Sequence, residues 1–106
     1  MANDRIEELD HHRIRITLKN SDGDAVTPNA VQYKVDCETT QTMVLDWTAL
    51  AASSTVDVII PSALNAIIND ANPYETKRVT VIANYGTTER LSKRYLYDVW
   101  NNSAYT

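Results

Sequence analysis

Val31-Gln32-Tyr33-Lys34-Val35-Asp36-Cys37 alternates apolar and polar side chains without a break. In an extended chain successive side chains point to opposite faces, so Val31, Tyr33, Val35 and Cys37 turn inward while Gln32, Lys34 and Asp36 meet water. A helix would scatter both sets around its circumference. The heptapeptide therefore sets the class as β, and the question becomes how far the same period runs on either side.

Toward the N-terminus, Arg13 to Leu18 puts Ile14, Ile16 and Leu18 on one face and Arg13, Arg15 and Thr17 on the other. Between the two strands, Asn20 to Pro28 collects Asn, Ser, Asp, Gly and Pro, the residues that turn a chain. Toward the C-terminus, Met43 to Trp47 predicts a short strand with Met43, Leu45 and Trp47 on one face. Thr55 to Ile60 then places Val56, Val58 and Ile60 together, and Pro61 ends it because proline cannot donate to a ladder. From Ser62 the period changes: Ala63, Leu64, Ile67 and Ile68 make one helical stripe, with Ser62 as N-cap and Asn69 to Pro73 as stop. Lys77 to Tyr85 and Lys93 to Trp100 return to period two. The first aligns Val79, Val81, Ala83 and Tyr85, and the second aligns Tyr95, Tyr97 and Val99 against Arg94, Leu96, Asp98 and Trp100. Gly86 sits at the hairpin-length connection between them, where positive φ is useful.

Six strands and one short helix, with frequent turns and no strand-helix alternation, exclude a doubly wound α/β fold. They predict an all-β chain: a two-sheet antiparallel Ig-like or fibronectin type III-like sandwich of six or seven strands, crossed once by the helix. A small closed barrel has the same periodicity. The domain spans residues 13–101, with 1–12 as an N-terminal arm and 102–106 as a tail. The single cysteine excludes the inter-sheet disulfide of antibody domains.

The chain has 106 residues, enough for one packed core without staples. Ten basic against fourteen acidic residues argue against a basic nucleic-acid face. No apolar run approaches the roughly 20 residues of a membrane span, so neither nucleic acid nor membrane is an expected partner. No metal, cofactor or catalytic residue is expected either. Cys37 lies on the inward face of its strand, where a thiol behaves as a small hydrophobe. His11 and His12 are adjacent, and in extended backbone they diverge rather than converge on one ion. Asn20, Asp22 and Asp24 mimic half a calcium loop, but Val31 falls where the bidentate carboxylate belongs. Two glycines, Gly23 and Gly86, cannot build a phosphate loop or a nucleophile elbow.

What remains is a surface. Lys77, Arg78, Arg90, Lys93 and Arg94 gather on the last two strands, while acids dominate Met1 to Asp10, a division that suits charge-complementary docking. Arg5 belongs to the arm, and His11 and His12 join it to the first strand. Trp100 and Tyr105 near the C-terminus are of the residue types that anchor interfaces, and one tryptophan is expected in the core. Arg5, His11, His12, Arg78, Arg94, Trp100 and Tyr105 are thus the candidate partner-binding residues. Tyr95, Tyr97 and Trp100 carry the alternative, a host-adhesion or carbohydrate-binding module.

An ordered series runs through the chain: Ile16-Thr17-Leu18, then Asp22-Gly23-Asp24-Ala25-Val26-Thr27-Pro28, Val31 to Asp36, Asp46-Trp47-Thr48 and Val56 to Pro61. It continues with Leu64 to Ile68, Glu75 to Val81, Ala83 to Gly86 and Tyr95 to Val99. In this series the stretch from Arg13 to Asn101 resembles small virion proteins of tailed bacteriophages. The resemblance implies a non-enzymatic structural component of the particle, assembled in the host cytoplasm. Such a component decorates the capsid, joins the head-to-tail neck or portal, or belongs to the tail. It would be present in many copies or as a homo-oligomer. No residue roles come with it.

Overall fold

The structure is a computed structural model that describes residues 4–19, 22–24, 26–69, 71–85 and 89–101. Seven strands lie among them: β1 (Asp4–Glu7), β2 (His12–Thr17), β3 (Ala30–Cys37), β4 (Thr42–Leu50), β5 (Thr55–Ile60), β6 (Tyr74–Tyr85) and β7 (Glu89–Trp100). They form two sheets, a five-stranded one in the order β1-β7-β6-β3-β4 and a two-stranded one of β2 and β5. Every pairing is antiparallel except that of β1 with β7, which is parallel.

The period-two reading fixes what lies between the sheets. Ile16, Val56, Val58 and Ile60 of the small sheet, with Leu18 just beyond β2, form one buried cluster with residues of the large sheet. The large sheet contributes Val31, Tyr33, Val35, Val79, Val81, Ala83, Tyr97 and Val99, so the arrangement is sandwich-like. Cys37 is buried as the alternation predicts. Each fully buried Val or Ile contributes about 1.5–3 kcal/mol, which is why this pattern decides the fold.

Four expectations are corrected. The stretch read as an arm is folded in: Asp4–Glu7 runs beside β7, with Arg5 opposite Asp98 and Ile6 opposite Val99, and Ile6 packs against the core. A four-residue strand carries too little alternation to be read from sequence.

The helix shrinks to a single 3-10 turn, Ser62–Asn65, preceded by Pro61 and without a side-chain cap from Ser62. Leu64 and Ile67 pack on the core, but Ile68 is exposed. The backbone after Asn65 is extended because side chains of β6 claim it: Lys77 Nζ donates to the Ala66 carbonyl, and Glu75 accepts from the amides of Ile68 and Asn69.

Met43, Leu45 and Trp47 do not share a face. Across β3, Val35 faces Leu45 but Asp36 faces Met43, and Tyr33 faces Thr48, so β4 carries extra residues at two places. Each bulge shifts the pleat by one, turning Met43 and Trp47 outward while Leu45 packs on the core. The core aromatic is Tyr97, fully buried, and neither tryptophan anchors it.

Lys77 is not on a basic rim, for it is fully buried with Glu75 on the inner face of β6. The Gly86 connection, Tyr105 and the tail 102–106 lie outside the described residues.

Candidate interaction surface

The small sheet covers one face of the large sheet, which leaves the register of the other face to define a surface. Residues directly opposite in antiparallel strands share a face, so rows of side chains can be read across β7, β6, β3 and β4. One row is Leu96, Arg78, Asp36 and Met43. The next starts with Arg94, Thr80 and Lys34 and reaches the bulge that contains Trp47. Met43 is 56% exposed, Trp47 39% and Leu96 41%, so apolar groups flank a charged middle.

Short-range electrostatics hold that middle in place. Arg78 reaches Glu38 through Nη1 at 3.3 Å and Asp36 through Nη2 at 3.4 Å, and Lys34 Nζ lies 3.6 Å from Asp36. The same ammonium stands 5.4 Å from the Trp47 ring centre, within cation–π range. Asp46 accepts from the Trp47 backbone amide at 2.7 Å, and the Thr48 hydroxyl donates to the Asp46 carbonyl. The bulge thus satisfies part of its own backbone, which discourages strand addition while presenting the indole. Beside this edge a cleft of about 620 Å³ is lined by Asp36, Cys37, Glu38, Gln41, Thr42, Met43 and Arg78.

A second aromatic group lies where β1, β6 and β7 meet. The Arg5 guanidinium sits 4.1 Å from the Trp100 ring centre, and Tyr74 stacks on Trp100 at 5.1 Å and 27°. Register accounts for the contact, since Tyr74 faces Trp100 across β6 and β7 and the parallel β1 lays Glu7 on the other side. Arg5 also pairs with Glu7 at 3.4 Å.

The residues singled out from sequence therefore separate. Arg5 and Trp100 come together. Arg78 and Arg94 share the outer face, Arg78 in the ion-pair row and Arg94 exposed beside it. His11 is exposed at the start of β2, while the His12 ring packs 4.6 Å from Tyr97. Tyr105 lies outside the described residues. Tyr95, Tyr97 and Trp100 make no common platform, because Tyr97 is buried, Tyr95 packs on the core and Trp100 faces the opposite way. Sequence reading missed Met43, Trp47, Leu96 and Tyr74. For Leu96 the signal was present, as an apolar residue on the polar face of β7, whereas Met43 and Trp47 depend on bulges.

A buried polar knot closes one end of the inner face. Tyr97 donates to Asn65 Oδ1 at 2.6 Å, and Asn65 Nδ2 donates to the Asp10 carbonyl at 2.8 Å. Glu75 accepts from Ile68, Asn69 and the Asn72 carboxamide, with Lys77 Nζ 3.7 Å away. Burial works against the Glu75 carboxylate, but those three donors and the ammonium outweigh it and hold its pKa below the ordinary glutamate value. Burial pushes the Tyr97 phenol upward, with proximity to Cys37 adding to it, so it remains a neutral donor. Among the described residues no group of three or more His, Cys, Asp or Glu side chains is placed to hold a metal ion. Compared with known proteins, the chain matches no family model, no curated protein and no solved structure.

Proposed function

We propose that the chain is an immunoglobulin-like structural protein of a tailed-bacteriophage particle. It binds a larger capsid, neck or tail protein through the outer face of the five-stranded sheet and is present in many copies. The strand order supports the fold reading: with β2, β3, β4, β5, β6 and β7 taken as B, C, C′, E, F and G, the sheets become B-E and G-F-C-C′. That is the variable-type immunoglobulin layout without its A and D strands on the smaller sheet. The phage assignment rests on the resemblance of the residue series from Arg13 to Asn101.

One observation carries the binding role. Met43, Trp47 and Leu96 stand exposed around an ordered charged row, on a sheet face that no other element covers among the described residues. Large apolar and aromatic side chains set among satisfied charges are the composition of an interface that is polar at its rim. A contact repeated by particle symmetry can be individually weak, so such a modest patch suffices.

Mass spectrometry of gradient-purified particles tests the role, with the chain expected in intact virions at a fixed ratio to the shell or neck protein. Its absence from virions, with presence only in infected-cell lysate, would sink the proposal. Adding recombinant chain to particles lacking it tests the face. Trp47→Ala is expected to lower occupancy at least tenfold, the scale of a central aromatic anchor, while folding stays intact by circular dichroism.

A further inference from the structure

Lys77 poses a chemical problem that its surroundings do not solve. A lysine ammonium has three donors, yet among the described residues Lys77 makes one hydrogen bond, to the Ala66 carbonyl at 3.3 Å. Its carboxylate neighbour is 3.7 Å away, beyond a good hydrogen bond, and Lys77 is fully buried. Glu75 in turn already holds three N–H donors and does not depend on the ammonium for satisfaction. Burying a charge so poorly served is costly. The knot becomes satisfied if the amine is converted to a neutral amide.

The reagents for that conversion are adjacent. Lys77 and Tyr97 face each other across β6 and β7, so their side chains leave the sheet side by side. Tyr97 donates to the Asn65 carboxamide oxygen at 2.6 Å, and Lys77 Nζ rests on the carbonyl of the very next residue, Ala66. Lys77, Glu75 and Asn65 are all fully buried, away from competing water.

We propose that the folded chain forms an internal isopeptide bond between Lys77 Nζ and Asn65 Cγ. Glu75 accepts a proton from the Lys77 ammonium, and the free amine attacks Asn65 Cγ. Negative charge then develops on Oδ1, where the Tyr97 hydroxyl is already aimed as an oxyanion donor. The nitrogen of the former amine passes a second proton to Nδ2, the Cγ–Nδ2 bond breaks, and ammonia departs, collecting the proton held by Glu75. One ammonium and one carboxamide become one secondary amide and one ammonium ion, with no oxidant or reductant. Holding the reactants in a buried, fixed geometry replaces the activation that an unstrained amide otherwise lacks. The bond ties the loop after β5 to β6 from inside. It is independent of any external partner.

Intact-mass spectrometry of the purified full chain tests the proposal. The wild type is expected to be lighter than its sequence by one ammonia, and tandem spectra of a digest are expected to contain a branched peptide joining Asn65 to Lys77. Lys77→Met and Asn65→Ala are expected at full mass. Full mass in wild-type protein that is folded by circular dichroism, before and after prolonged incubation, would overturn it. So would a deficit that persists in Lys77→Met, because Asn65 cyclising on its own backbone loses ammonia without the lysine. If the variants do not fold, the wild-type mass and the branched peptide decide alone.

Discussion

Strand β6 carries one set of charges on each face, and the two obey different physics. On the inner face Glu75 and Lys77 are sealed from water, and Glu75 binds the backbone of the loop that follows β5. On the outer face Arg78 bridges Asp36 and Glu38 with about a third of its side chain exposed. Inside, removing a partner strands a buried charge. Outside, water replaces what is lost. The inner set therefore governs folding, while the outer set shapes a surface.

The largest expected effect follows directly. Glu75→Ala leaves Lys77 without its carboxylate and frees two loop amides, at a cost of about 3–5 kcal/mol in urea unfolding. Arg78→Ala, on the same strand, is expected to cost about 0–1 kcal/mol. Equal costs for the two would erase the distinction between the faces. Protonation reaches the inner loss by another route. Because the folded-state pKa of Glu75 is depressed, its contribution is present above the unfolded value of about 4.3 and disappears as pH falls through the lower folded value. Stability measured by urea midpoints is expected to fall on acidification through that window, and Glu75→Gln is expected to flatten the slope.

Next in size is Tyr97→Phe. The phenyl ring keeps the packing, but Asn65 Oδ1 loses its 2.6 Å donor in a buried site, a penalty of about 1–3 kcal/mol. Thermal unfolding checks it, and a change too small to resolve would mean that water reaches the knot.

How much of this was legible depends on which force set each feature. Val31 to Cys37, Thr55 to Ile60 and Val79 to Ala83 were readable because burial on one face imposes a period that sequence displays directly. Glu75 and Lys77 continue the inward register of Val79 and Val81, yet their charges read as solvent-facing, since only a loop arriving from elsewhere supplies their partners. The same loop overrode the helical stripe after Ser62. Trp47 was misplaced for a different reason: a bulge adds a residue without leaving a composition signal, and its effect is felt only against Tyr33 and Val35 on the neighbouring strand. Of the candidate surface, the pairing of Arg5 with Trp100 needed the parallel β1, a four-residue strand defined by its partner rather than by its own pattern.

The smallest expected effect concerns the outer face of the small sheet, where Arg15 forks onto Asp57 at 2.8 and 3.2 Å and Arg13 approaches the same carboxylate at 3.5 Å. The hydrogen bond from Arg15 is the main influence holding the Asp57 pKa below its ordinary value. Both partners are solvated, so Arg15→Gln is expected to leave the unfolding midpoint where it was. It should still move the Asp57 carboxyl titration, followed by NMR, upward toward the ordinary aspartate range, and only part of the way, because Arg13 stays. A local titration that shifts while global stability does not is the signature of a solvated pair. A matching loss of stability would place this pair with Glu75 and Lys77, and would show that exposure is a poor guide to which charges hold the sandwich together.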